Sequence, residues 1–105
     1  MLDEQAFRKL ADDELKSLAN KLDSITELTS DIAADALLIE FDDGDKFILS
    51  QQPPTRQLWF AAAFQAGHYD FDEAAHTWKD DKTGEQLRAR IARDIGEKLG
   101  KPISL

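Results

Sequence analysis

The side chains of this sequence that could do chemistry are mostly carboxylates. Of its 105 residues 21 are Asp or Glu against 13 Lys or Arg, two are His and none is Cys, for a formal net charge of −8. Without a thiol there is no disulfide, no thiolate metal site, no persulfide relay on this chain and no cysteine-ligated cluster. Any metal would have to be held by oxygen or by the two histidines. His68 and His76, eight positions apart across a turn, read as structural or exposed rather than as ligands. No Ser–His–acid constellation, glycine-rich phosphate loop or zinc-ligand spacing is present, and the acidic pairs Asp42-Asp43 and Asp80-Asp81 fall in turns. The chain is therefore not expected to be an enzyme. Its acidity is concentrated: residues 1–45 hold 13 acidic against four basic residues, residues 46–105 eight against nine. Nucleic acid and anionic membrane would be approached against a repulsive field, so cations and basic proteins are the expected partners.

These groups sit on elements that the hydrophobic period makes legible. From Asp3 to Ser24, Phe7, Leu10, Ala11, Leu15, Leu18 and Leu22 recur at three and four, the period of an amphipathic helix that Asp3 can cap. Asp12, Asp13 and Glu14 lie on its polar side, where a charge run is as often plain solvation as function. Extended segments follow at Glu27 to Ile32, Ala36 to Asp42 and Lys46 to Ser50, with Asp43-Gly44 as a hairpin signal. Leu37, Ile39 and Phe41 share one face, and Lys46 to Ser50 is apolar at every interior position, as a central strand would be. Gln51 to Gln57 contains Pro53 and Pro54, which remove two ladder donors, and reads as a loop or sharp crossing. Strands resume at Leu58 to Ala62, His68 to Asp72 and Thr77 to Lys79, the last two separated by a turn around Glu73 to His76. After the polar turn Asp80 to Gly84, Leu87, Ile91, Ile95 and Leu99 mark a second amphipathic helix over Glu85 to Leu99, stopped by Gly100 and Pro102.

Two helices with one apolar stripe each cannot cover both faces of a meander, so both are expected on one face, with the other left to solvent or partners. The expectation is an α+β two-layer sandwich, two terminal helices on one face of an antiparallel sheet of about five to six strands. One domain spanning residues 1–105 suffices, since no linker or repeat divides the chain. There is no long apolar run and no basic or apolar start of secretory type, which leads to a cytoplasmic expectation. Tyr69, Trp78, Phe41, Phe47 and Phe71 read as packing residues. Trp59, taken by residue type alone, is more often core than interface.

Gln52-Pro53-Pro54-Thr55-Arg56-Gln57-Leu58-Trp59, followed by Gly67, Phe71-Asp72, Trp78 and Gly84, resembles the signature of the frataxin family, and the resemblance covers nearly the whole chain. It implies the same helix–meander–helix order, an open sheet face used for contact with a cysteine desulfurase and an iron–sulfur scaffold protein, and interface roles for Gln52, Gln57 and Trp59. It also implies a part in iron–sulfur cluster assembly, as a regulator or, alternatively, as an iron-handling protein that binds, delivers or oxidises Fe(II). Ferroxidase-type activity is implied by the family alone, with no site of its own in the residues. The C-terminal segment, here Ile103 to Leu105, packs between the helices in frataxins. A monomer is expected.

Two stretches depart from the family pattern. Ser50 stands where an asparagine is common, and Ala19-Asn20-Lys21 replace carboxylates used for iron in the last turns of the first helix. The carboxylates that remain for a labile Fe(II) site are Asp12, Asp13, Glu14 and Asp23, with Glu27 and Asp31 on the first strand. Hard oxygen ligands alone hold Fe(II) weakly and exchangeably, which suits delivery or sensing. The same ridge suits docking on a basic surface, where charge steers encounter more than it adds affinity.

Overall fold

The computed structural model describes residues 2–62 and 65–105. Helix α1 runs over Glu4–Leu22 and helix α2 over Leu87–Leu99. Between them lie strands β1 (Leu28–Ala33), β2 (Ala36–Phe41), β3 (Lys46–Gln52), β4 (Gln57–Ala62), β5 (Gln65–Asp72) and β6 (Thr77–Asp80). The six strands form one antiparallel sheet in sequence order, β1-β2-β3-β4-β5-β6. Both helices pack on the same face of it, the expected two-layer α+β arrangement.

The local causes are readable. Asp3 Oδ1 accepts the Ala6 N–H at 2.7 Å and caps α1, which buries Phe7, Ala11, Leu15, Leu18 and Leu22 as its period demands. Gly44, at φ +93°, closes the β2–β3 turn, where Asp43 Oδ1 accepts the Asp45 N–H. Pro53 to Thr55 form a single 3-10 turn ending in Arg56 at φ +56°. The prolines thus sit outside the ladder: β3 extends two residues beyond the expected Ser50, and Gln52 pairs directly with Gln57 across a tight hairpin. Helix α2 begins two residues later than the period suggests. Glu85 C=O accepts the Asp80 N–H at 2.9 Å and Gln86 bridges to Lys79, so those two residues finish the sheet instead.

The core lies between the helices and the sheet. Leu37, Ile39 and Phe41 of β2, Phe47 and Leu49 of β3, Leu58 and Phe60 of β4, Tyr69 and Trp78 all point into it. Phe7 meets Trp78 edge-on at 5.9 Å, tying α1 to the far side of the sheet. Gly67, opposite Phe60, leaves room that a Cβ would lose by approaching the Tyr69 ring to 2.8 Å. Arg90, only 5% exposed, lies over the Phe60 ring at 5.4 Å and donates to Asp94 at 2.5 Å. Its charge is thus compensated where it is buried. Glu14 meets Arg88 and Glu27 meets Lys101, so the helices run side by side in the same direction. Ile103 and Leu105 fold back against the core, as the resemblance implies.

Candidate functional site

Strand alternation sends every second residue away from the helices, and the register assembles these into an uncovered face. One row crosses it as Ala36, Ser50, Trp59 and His68, the next as Gln52, Gln57, Asp70 and Lys79. Trp59 is half-buried by its neighbours rather than by a core. It stacks on His68 with ring centroids 4.4 Å apart and planes 16° apart, and its Nε1–H donates to Gln57 Oε1 at 3.0 Å. Gln57 Nε2 in turn donates to Asp70 and Asp81, each at 3.1 Å. Gln52 Nε2 donates to Ser50 Oγ at 3.2 Å, so the serine at the departing position supports the neighbouring amide. Gln52, Gln57 and Trp59 therefore lie together on one surface, with the indole held in place by side chains of its own sheet. Beside it runs an apolar row of Leu38, Ile48, which is 43% exposed, Ala61 and Ala66. An aromatic anchor next to an apolar strip with a polar margin has the anatomy of a protein-docking surface.

The acidic half is built differently. Glu14 is engaged by Arg88, which donates to its two carboxylate oxygens at 3.0 and 2.9 Å, to Ser17 Oγ at 3.0 Å and to the Leu105 backbone oxygen at 3.2 Å. Asp12 Oδ1 accepts from Gln51 Nε2 at 2.7 Å, and Asp13 pairs loosely with Lys9 at 3.4 Å. Lys101 lies against Glu27 at 2.6 Å and, chiefly by that hydrogen bond, holds its carboxyl below the usual range. Asp23 follows the last turn of α1, at the negative end of the helix dipole where a carboxylate brings the helix no benefit. Asp31 points to the open face opposite Leu38. These six are not brought together: among the described residues no three His, Cys, Asp or Glu side chains approach closely enough to hold a metal ion. A resident, closed iron site does not fit this donor set. Weak, exchangeable binding of Fe(II) as cargo needs only carboxylates that reach solvent, and Asp13, Asp23 and Asp31 do.

Several participants escape a reading of the sequence. His68, which residue type and spacing leave only as structural or exposed, forms the floor of the Trp59 stack. Alternation along β5 puts it on one face or the other, but only the β4–β5 register puts it opposite Trp59. Asp70 and Asp81 are joined through Gln57 for the same reason. Arg88 and Gln51, which occupy Glu14 and Asp12, come from 74 and 39 positions away and carry no local signal.

A family model described as the frataxin-like domain matches residues 1–101. The iron-sulfur cluster assembly protein CyaY of Azotobacter vinelandii is 35% identical over 103 residues, covering 97% of this chain and 94% of that protein. The protein of the same description from Pseudomonas fluorescens strain Pf0-1 is 34% identical over 100 residues, covering 94% and 91%. Among solved structures, frataxin from Psychromonas ingrahamii superposes with a TM-score of 0.89 at 23% identity, covering 98% of this chain and 97% of that one. Trimeric frataxin from the yeast Saccharomyces cerevisiae, in a ferrous complex, gives 0.75 at 20% identity, covering 88% and 87%. With its helices on one face of a six-stranded meander and the glutamine–tryptophan cluster on the other, the chain belongs to the frataxin family.

Proposed function

We propose that this chain is a cytoplasmic accessory protein of iron–sulfur cluster assembly, which docks its open sheet face on a cysteine desulfurase–scaffold complex and modulates sulfur transfer. The observation that carries the reading is the convergence of Gln52, Gln57 and Trp59 on a face that neither helix covers, with the indole already held by Gln57 and His68. A preorganised anchor loses little freedom on binding, and so contributes more of its contact energy to affinity. The relatives named for iron–sulfur cluster assembly supply the pathway. The protein acts as a single domain and as a monomer, by binding rather than by a reaction of its own. Fe(II) is a labile cargo or signal read by the exposed carboxylates, Asp13, Asp23 and Asp31 foremost.

The second reading is an iron-handling protein, an Fe(II) donor, store or oxidant, and the ferrous complex of the yeast frataxin favours it. The dispersal of the six carboxylates speaks for the first. The experiment that separates them measures sulfide release by the desulfurase and scaffold of the same organism as this chain is titrated in, with and without Fe(II). The docking reading expects a saturable change in rate that Trp59→Ala abolishes while Fe(II) binding persists. Because Trp59 lies outside the core, that variant keeps its fold and the result is decisive. No rate change in either arm, with stoichiometric Fe(II) uptake, would establish the iron-handling reading instead.

A further inference from the structure

The sheet ends in two edges, and they are finished differently. The β6 edge is closed by its own chain, through the Asp80 N–H donating to Glu85 C=O at 2.9 Å and the bridge from Lys79 to Gln86. Along β1 no described residue hydrogen-bonds to the outer side of the strand. The Asp42 N–H donates to Glu27 C=O at 3.2 Å, which sets the phase of the antiparallel ladder. Residues 29, 31 and 33 turn their backbone groups inward to β2, while Leu28, Ser30 and Ile32 turn theirs outward. Leu28 is 5% exposed and closed off, but Ser30 is half-buried and Ile32 is 38% exposed. The Ser30 Oγ is itself buried without a partner.

Natural edge strands are usually protected by Pro, Lys, a bulge or an inward-pointing charge. β1 pairs with β2 through all six residues without a bulge, contains neither Pro nor Lys, and carries a single charge, Asp31, on the open face. Carboxylates outnumber cations around it, although Glu40 has Lys46 opposite it on β3. Asp23 precedes the strand, Asp35 follows it, and Glu40 lies opposite Thr29. The nearby cations Arg8 and Lys101 are already paired, with Asp35 and Glu27.

We infer that the β1 edge takes up an extended basic segment of another protein as a seventh strand. The outward N–H and C=O groups of Ser30 and Ile32 supply the main-chain pairing. Alternation supplies the preference: on the open face the guest's side chains lie beside Asp31 and Thr29, which suits Arg or Lys. On the helix side they lie beside Ile32, which suits an apolar residue. A second copy of this chain is the wrong occupant, since it would set one acidic edge against another. The inference concerns a surface separate from the Trp59 face and holds whether or not that face binds a desulfurase.

The test uses the full chain, 15N-labelled, with a synthetic peptide alternating arginine and valine and the same peptide N-methylated throughout. The expected result is that amide exchange at Ser30 and Ile32 slows by about tenfold with the plain peptide and is unchanged by the methylated one. Thr29 and Asp31, already paired to β2, stay as they were. Ile32→Pro removes an outward N–H without breaking a bond to β2 and abolishes the protection. Asp31→Lys, a variant with no backbone consequence, weakens the peptide's binding if the proline variant fails to fold. Equal response to both peptides, or protection away from Ser30 and Ile32, would reduce the effect to charge attraction and overturn the inference. Self-association that protects the same amides without peptide would overturn it in favour of a second copy.

Discussion

Phe60 and Trp59 are neighbours on β4, and they serve the molecule in opposite ways. Phe60 points into the core, fully buried, between Phe47 and the Arg90 guanidinium. Trp59 points out and stacks on a histidine, its ring nitrogen held by a glutamine that is itself held by two aspartates. The same contrast separates the two polar regions. On the helix side, carboxylates are tied to distant basic or amide groups and hold the layers together. On the open face, polar groups are tied to each other and hold an aromatic side chain in place. Burial against a second layer turns a large side chain into stability, while support from within its own sheet holds one in a fixed pose at the surface.

The largest effect should come from breaking the core half of this pair. Phe60→Ala removes a fully buried ring and should cost about 3–5 kcal/mol of stability, read by urea or thermal denaturation. Any loss of partner binding in that variant should track the unfolded fraction. Trp59→Ala should behave in reverse, weakening the desulfurase–scaffold complex by about 2 kcal/mol, roughly thirtyfold, with the denaturation midpoint little changed. If the two variants gave the same profile, the division between the faces would be wrong.

Smaller effects sharpen the contrast on the helix side. Glu14→Ala leaves Arg88 partly buried without its carboxylate and should cost about 1–2 kcal/mol of stability, while leaving partner affinity unchanged. The smallest effect is pH-linked. The Glu27 carboxyl is held below its ordinary value of 4.5, chiefly by the Lys101 hydrogen bond, so its pairing stabilises the fold above that pH. The contribution is lost as pH falls through the depressed folded-state value. The wild type should therefore exceed Glu27→Gln in stability at neutral pH, and the gap should close in acid below about 4.5, as denaturation midpoints at several pH values would show.

Much of the fold was legible because it is written in short-range periods. The three-and-four spacing from Phe7 to Leu22 and from Leu87 to Leu99 specifies two helices whose apolar stripes need a common surface. Asp43-Gly44 and the paired prolines mark turns by their own backbone limits. That Trp59 lies on the open face with Gln52 and Gln57 was legible only through the family signature, since residue type alone favours the core for Trp59. The boundaries that shifted, at Gln51-Gln52 and at Glu85-Gln86, did so because those residues found ladder partners that no local pattern announces.

The sequence by itself determined the elements, their order, the absence of thiol chemistry and the acidity of the first half, because each depends on residue identity or on neighbours within about one helical turn. Only the tertiary structure decided which carboxylates are free. Glu14 and Glu27 each meet a cation 74 positions away, Asp12 meets an amide, and Trp59 meets His68 through a strand register. Register and layer packing are properties of the whole core closing at once, and long-range pairs exist only after it has closed.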